Sequence, residues 1–259
     1  MKKIFFWFTL IVGIIAVVGA CKKSEESSTA ATAKCAGMPV ATVSTCSNTA
    51  SGSITGLDNS SLSGVYDPYH AFGISGTAGV DNTTGCISAA SLVSTLGGPT
   101  GTASVMTNMA VTSSSSMATT HKYFSDTSCS TELSSISFVF TDVTVVDNVT
   151  GLSTTVTGES GTFPSTATKV TYKNTCNIIK GSTAAGVTYL DTLFGGALDL
   201  VVGTEYKCGV SGDTKYLLMK ALDSSAMGVG TDGIWYYEDG NTAYPTDWTS
   251  DVNTWTKLP

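Results

Sequence analysis

Residues 136–145 carry the most regular alternation of apolar and polar positions in the chain. Ile136, Phe138 and Phe140 occupy the first even positions, and valine or threonine occupies the odd positions from 139 to 145. A period of two is typical of a β-strand, whose successive side chains point to opposite faces of the sheet. Because both sets are partly apolar, we expect one face to join the core and the other to be covered by a helix, a loop or a second sheet.

The same period predicts further strands, which are separated by glycine, asparagine, aspartate and serine. They cover residues 105–112, 117–124, 153–157, 169–173, 198–202, 216–222 and 234–238. Only residues 89–96 and 189–194 are predicted to be helical, and a pair of glycines directly after each of them ends the helix. About eight short strands with frequent turn signals predict an all-β fold, either a single antiparallel β-barrel or an open β-sandwich.

The first 21 residues have the organisation of a secretory signal. Lys2 and Lys3 precede an uncharged and mostly apolar run over residues 4–20, which ends at Val18-Gly19-Ala20-Cys21. Two small residues before a cysteine resemble the lipobox of bacterial lipoproteins. The resemblance implies that residues 1–20 are removed and that Cys21 is acylated on its sulfur and on its new amino group. An uncleaved anchor is the alternative, but a run of about 17 residues is at the lower limit for a spanning helix.

Residues 21–50 form the predicted lipidated tether, and residues 51–259 form the predicted β-barrel domain. Residues 22–34 are small and polar, so they bury too little surface to order themselves and are typical of a flexible spacer. Two or three acyl chains hold a protein stably on a membrane that it does not span. We therefore expect a lipid-anchored protein of the bacterial cell envelope, at the outer membrane.

The cysteine count agrees with an oxidising envelope compartment. Seven cysteines are present, and assigning Cys21 to the lipid leaves six, enough for three disulfides. These six are Cys35, Cys46, Cys86, Cys129, Cys176 and Cys208. None of them belongs to a C-x-x-C pair or lies near a histidine, so zinc or redox use is not expected. Short separation favours the pairs Cys35–Cys46 and Cys176–Cys208, although six cysteines allow fifteen connectivities.

Charge and motif content exclude several classes of function. All 13 basic residues are lysine, 20 residues are acidic, and the formal net charge is −7. An acidic chain without arginine is poorly suited to binding nucleic acid. No hydrolase, zinc-protease or nucleotide-binding motif is present, and the two histidines, His70 and His121, are interpreted as polar residues rather than bases. Asp232, Glu238 and Asp239 are interpreted as solvated turn acids. We expect no enzymatic activity, no metal and no cofactor.

Five short segments resemble bacterial lipocalin-like lipoproteins. Ser63-Gly64-Val65-Tyr66 is similar to the G-x-W start of lipocalin-like barrels, with Tyr66 in place of the usual tryptophan. Residues 123–129 resemble the aromatic-Asp-Ser-Cys segment of such lipoproteins, and residues 233–236, 244–247 and 255–257 resemble their last two strands. The serine- and threonine-rich, arginine-free composition is similar to that of some spirochaetal surface lipoproteins. The resemblance implies a single lipocalin-like β-barrel of about eight strands with one or two short helices.

Aromatic residues supply the candidate ligand-binding positions. Trp235 and Tyr237 share one face of a predicted strand, and we expect Phe138 and Phe140 to point into the core beside them. Such a cluster is typical either of a packed core or of a cavity for a small apolar ligand. The leading hypothesis is a non-enzymatic envelope protein that binds a small apolar ligand or a macromolecular partner such as an extracellular protein. The alternatives are a host- or matrix-facing adhesin or structural protein and, less favoured, an envelope hydrolase.

Overall fold

The structure is a computed structural model of the chain. It describes residues 46–57, 60–67, 79–81, 83–157, 162–196, 198–210, 212–222, 233–238, 242–249 and 253–259. The predicted signal, the lipidation site Cys21, Cys35 and most of the tether lie outside the described residues. His70, Asp232 and Asp239 lie outside them as well.

The described part of the chain is built from antiparallel strands and two short helices, which confirms the all-β prediction. The helices are α1 (Ala90–Leu96) and α2 (Ala184–Leu193). The strands are β1 (Ser53–Leu57), β2 (Ser60–Ser63), β3 (Val65–Asp67), β4 (Val80–Asp81), β5 (Cys86–Ile87), β6 (Ser104–Ser113), β7 (Ser116–Phe124), β8 (Glu132–Thr150), β9 (Thr166–Gly181), β10 (Glu205–Gly209), β11 (Thr214–Leu222), β12 (Gly233–Glu238) and β13 (Asn253–Lys257).

One sheet contains all strands except the β1–β2 hairpin. Its order is β3-β13-β12-β11-β9-β8-β7-β6-β5-β4, and β10 pairs with the end of β9 that β11 leaves free. Strand β3 has a second neighbour, because Val65 and Tyr66 also pair with Ala110 and Met109 of β6. The first strand of the order is therefore hydrogen-bonded to the eighth.

Two predicted strands are absent. Residues 153–157 and 198–202 are irregular, although both alternate in sequence. Val201 and Val202 are about half exposed, at 49% and 51%, so their alternation does not reflect a buried face. The predicted segment 169–173 lies in the first half of the much longer β9, and the predicted helix 189–194 begins earlier, at Ala184.

Helix α2 begins earlier because its first turn has a cap and a close docking site. The side chain of Thr183 accepts a hydrogen bond from the backbone N–H of Gly186, at 3.1 Å. Gly186 lies directly against the backbone carbonyl of Leu133 on β8, where a Cβ atom would clash. The helix thereby crosses β8 and buries Leu190 completely.

The main apolar core lies on one face of the sheet, which we call the inner face. The inner cluster joins residues of β1–β3, β6–β9 and β11–β13 in one buried group: Ile54, Leu57, Leu62, Tyr66, Met109, Val111, Met117, Val143, Val170, Tyr172, Leu217, Met219, Ile234 and Trp255. The helix cluster extends this face toward α2 and contains Ile136, Phe138, Ile179, Leu190, Phe194, Leu198 and Cys208. The hairpin β1–β2 and helix α2 thus cover different parts of one inner face.

The outer face of β7–β9 is covered by the N-terminal strap, residues 46–52. Cys46 is fully buried with Val139 and Ala118, and Asn48 donates a hydrogen bond to Ser137 at 2.9 Å. Val139 is therefore covered by a loop, as expected for a strand with two apolar faces. Cys46, which precedes residue 51, is thus packed against the sheet.

Val143 and Val145 do not share the outer face with Val139, contrary to the alternation in the sequence. The β8–β9 register shifts between Thr141 and Thr144, and Asp142 adopts a left-handed conformation with φ of 54°. This irregularity turns Val143 and Val145 toward the inner cluster. Alternation predicts faces only while the register is unbroken.

Two disulfides link strands that are distant in sequence. Cys46 bonds to Cys176 and Cys86 bonds to Cys129, with Cα–Cα distances of 5.8 and 6.0 Å. Cys208 is also disulfide-bonded. The pairs expected from short separation, Cys35–Cys46 and Cys176–Cys208, are wrong. The strap places Cys46 over β9, and this tertiary contact decides the pairing.

Candidate functional site

The inner face of β6–β9 carries a band of buried polar residues between the two apolar clusters. Cross-strand register arranges this face in rows, each with one residue from each strand. The rows are Thr107, His121, Ile136 and Ile179; Met109, Thr119, Phe138 and Asn177; and Val111, Met117, Phe140 and Asn174. Each row therefore combines apolar side chains with at least one polar group.

A bulge in β9 places Asn174 and Asn177 on the same face. Val139 pairs with Cys176 while Phe140 pairs with Asn174, so one extra residue, Thr175, is inserted in β9. A bulge of this kind reverses the alternation, and residues three apart then share a face. Bulges commonly re-aim side chains beside functional sites. We call Asn174 and Asn177 the polar pair.

The polar pair is only partly satisfied by the protein. The Nδ2 atom of Asn174 donates to Oδ1 of Asn177, at 3.3 Å. The remaining Nδ2 of Asn177 and Oδ1 of Asn174 are buried and have no hydrogen-bond partner among the described residues. Asn177 as a residue is fully buried, with 0% exposure. An unsatisfied buried polar atom costs about 1–3 kcal/mol, so a donor and an acceptor are held here at a cost to stability.

Two phenylalanines flank the polar pair. Phe138 is opposite Asn177 in β9 and is buried, while Phe140 is opposite Asn174 and is half-buried. Phe140 packs against both the inner and the helix clusters, and its ring meets that of Tyr172 edge to face at 4.6 Å. The structure thus places two of the four sequence-predicted ligand residues at the junction of the clusters.

The other two predicted ligand residues lie on β12. The backbone register places Trp235 opposite Lys220 and Tyr237 opposite Leu218, whereas Phe140 contacts the cluster of Leu217 and Met219. The side chains of Trp235 and Tyr237 are outside the described part of the structure. Among the described side chains, the ring of Tyr172 lies beside Phe140.

His121 is a buried, neutral member of the polar band. Its Nδ1 lies 3.0 Å from the hydroxyl of Thr107, and its ring meets Phe138 at 6.1 Å between centroids. Burial lowers the pKa of His121 from 6.5 to about 4, because the charged imidazolium would lose its hydration. At neutral pH the imidazole is therefore an uncharged hydrogen-bonding group.

Acid should destabilise the protein through His121. The unfolded chain takes up a proton near pH 6.5, while the folded state takes it up only near pH 4, so stability falls as pH drops through that window. Between pH 7.5 and pH 5 we expect a loss of about 2 kcal/mol. Urea unfolding at both pH values measures it. His121→Gln, which cannot titrate at this position, should remove most of the loss. His70 is present in both the wild type and the variant, so its titration does not contribute to the difference between them. An equal loss in the variant would assign the effect to another group.

Residues 125–131, which overlap the segment 123–129 that resembles lipocalin-like lipoproteins, form a loop organised by one carboxylate. Asp126 accepts hydrogen bonds from the hydroxyl and N–H of Ser128 and from the N–H groups of Ser130 and Thr131. These bonds, the one from the Ser128 hydroxyl first, hold the pKa of Asp126 well below its usual range. The loop presents Cys129, at φ of 53°, to Cys86. Within the structure, this segment holds the Cys86–Cys129 disulfide.

Neither a metal centre nor a spanning helix is found within the described ranges. No group of three or more His, Cys, Asp or Glu side chains there is arranged to hold a metal ion. No helix there has the length and apolarity needed to cross a membrane. Glu238, one of the three turn acids, lies in β12 opposite Leu217.

Sequence reasoning missed the polar pair. Asn174 and Asn177 are three residues apart, so simple alternation assigns them to opposite faces of β9. One signal was available, because asparagine is unfavourable in strand interiors and two in one strand are unusual.

Comparison with known proteins adds no family assignment: no protein-family model matches the chain, and no curated protein is significantly similar to it.

Proposed function

We propose that the chain is a non-enzymatic, lipid-anchored protein of the bacterial cell envelope that binds a small apolar ligand on its inner face. The observation that carries the ligand proposal is the position of Phe140. Its ring lies between two apolar clusters yet remains only half-buried, in contact with Tyr172. An aromatic surface enclosed by apolar walls with a few convergent polar groups is typical of small-molecule sites.

A closed, lipocalin-like barrel is the proposed frame of this site. The pairing of β3 with β6 supports it, because eight strands, β3, β6–β9 and β11–β13, then follow one another in a cyclic order. Residues from all eight strands also meet in the single inner cluster. Barrels of about eight strands have interiors that side chains fill or that hold one small ligand.

Native mass spectrometry tests the ligand proposal. The mature protein, expressed in a bacterial envelope and released under non-denaturing conditions, should carry an additional mass that denaturation removes. A protein that retains no ligand, and that binds no apolar compound in titrations, would contradict the proposal.

A macromolecular partner is the second candidate function. Val201 and Val202 are adjacent and about half exposed in the loop between α2 and β10. Two exposed valines at a loop tip suit a contact with another protein, as an adhesin or structural surface protein would need. Replacement of both valines by serine should abolish such binding without changing ligand retention.

Attachment through Cys21 is the proposed basis of envelope localisation at the outer membrane. Cys21→Ser should release the protein into the aqueous phase in detergent-phase partitioning, because the only proposed acylation site is lost. Disulfide formation and folding should be unchanged. Ser24→Ala, a substitution in the same segment, is the control and should leave partitioning unchanged. Unchanged partitioning of the Cys21 variant would contradict the lipoprotein assignment.

A further inference from the structure

We propose that Asn174 and Asn177 form a polar subsite that recognises an uncharged head group carrying a hydrogen-bond donor beside an acceptor, as in a primary carboxamide. This inference rests on the proposed function, since it specifies the ligand as an amphiphile whose apolar part lies against Phe138 and Phe140.

The chemistry of the two unsatisfied atoms selects the head group. Nδ2 of Asn177 is a donor and requires an acceptor, whereas Oδ1 of Asn174 is an acceptor and requires a donor. A carboxamide supplies both from neighbouring atoms. A carboxylate supplies acceptors only, and its charge would oppose Oδ1 of Asn174, while a hydrocarbon leaves both atoms unsatisfied.

The surroundings of the polar pair explain why a whole ligand fits better than an isolated polar group. Phe138 and Phe140 stand directly opposite the two asparagines in β8. The imidazole of His121 already contacts Phe138 and is hydrogen-bonded to Thr107. Apolar surface and a matched donor–acceptor pair therefore adjoin on one face, which suits a head group with an attached chain.

The presence of asparagine at these two buried positions of β9 also supports a role of the polar pair in binding. Leucine at positions 174 and 177 would match the apolar neighbours in the two rows and would remove both unsatisfied amide atoms together with the hydrogen bond that joins the pair. Replacing both partners of a buried polar contact by apolar groups of similar size is nearly neutral or stabilising. A purely structural asparagine would have to satisfy its hydrogen bonds within the protein.

Titration of three matched compounds tests the inference. The full mature chain carrying Cys21→Ser, which requires no detergent, is titrated calorimetrically with octanamide, N,N-dimethyloctanamide and octanoate. Octanamide should bind at least about tenfold more tightly than the dimethyl compound, which lacks the donor, and than charged octanoate, since one hydrogen bond corresponds to roughly that factor. This comparison needs no substitution in the binding site.

Substitutions then assign the effect to the polar pair. Asn177→Leu and Asn174→Leu should each weaken octanamide binding about tenfold, while the double variant Asn174→Leu/Asn177→Leu, which leaves neither partner of their hydrogen bond behind, keeps or raises the midpoint of thermal unfolding. Asn108→Leu is the matched control, because Asn108 is a half-buried asparagine on β6 whose register partner, Thr120, lies outside the polar band. It should leave octanamide affinity unchanged.

Each outcome separates the two proposals. If none of the three compounds binds, the proposed ligand-binding function fails. If all bind with equal affinity, or octanoate binds best, the function stands and the head-group inference is overturned, the polar pair then holding water or facing a charged ligand. Unchanged octanamide affinity in both asparagine variants also overturns it. If Asn177→Leu does not fold, Asn174→Leu and the compound series decide.

Discussion

Removal of the Cys46–Cys176 disulfide is expected to destabilise the protein by about 4–5 kcal/mol. The bond closes a loop of 130 residues, and the loss of unfolded-chain entropy increases with loop length. It also fixes the N-terminal strap over Val139 on the outer face of the sheet. Without the bond, that face would retain only weaker contacts, such as the hydrogen bond from Asn48 to Ser137.

The double variant Cys46→Ala/Cys176→Ala measures this effect in guanidinium unfolding, after peptide mapping of the wild type has shown the linked pair. The matched control is Cys86→Ala/Cys129→Ala, which opens a loop of 43 residues and should cost roughly 1 kcal/mol less. Amide hydrogen exchange should rise along β7–β9 in the first variant only. Equal losses in both variants would show that loop length does not govern the stabilisation.

Much of the strand content could be predicted from sequence, because the central strands alternate without interruption. The predicted segments 105–112 and 117–124 match β6 and β7 within one residue at each end. The prediction from alternation was wrong where a strand is bulged, and where an alternating segment does not pair with any strand of the described sheet. Val143 was assigned to the wrong face because of the irregularity at Asp142, and residues 198–202 alternate in an exposed loop.

The candidate site was only half predictable for the same physical reason. Phe138 and Phe140 could be predicted from their size and their alternation in the sequence, and they lie on the inner face as expected. Asn174 and Asn177 share that face only because Thr175 is bulged, and the position of a bulge depends on pairing with β8. The disulfide partner of Cys46 likewise depends on where the strap crosses the sheet, which no local pattern encodes.

The polar pair and the buried histidine suggest that the interior is organised for selectivity at a cost in stability. Two buried amide atoms without partners in the described part of the chain oppose folding, and the buried imidazole of His121 does so as the pH falls below about 6.5. The disulfides supply compensation, since they act mainly on the unfolded chain. A protein stabilised by disulfides can tolerate unsatisfied polar groups in its interior.

Phe138→Ala is expected to cost about 3–5 kcal/mol, as for other fully buried phenylalanines. Only 4% of Phe138 is exposed, and its ring contacts the imidazole of His121 and belongs to the cluster that docks helix α2 through Leu190. Loss of the Phe138 ring would leave a cavity where helix α2 packs on the sheet. Chemical unfolding measures the change, and near-ultraviolet circular dichroism reports whether the packing around α2 loosens.

Phe140→Ala provides the matched comparison one row further along β8. Because Phe140 is half-buried, its truncation should cost roughly 2 kcal/mol, less than that of Phe138. It should instead weaken octanamide binding, since the lost ring is the apolar surface proposed for the ligand chain. A larger loss of stability from Phe140→Ala than from Phe138→Ala, with ligand affinity unchanged, would make Phe140 a core residue and remove the main support for a ligand site between the two clusters.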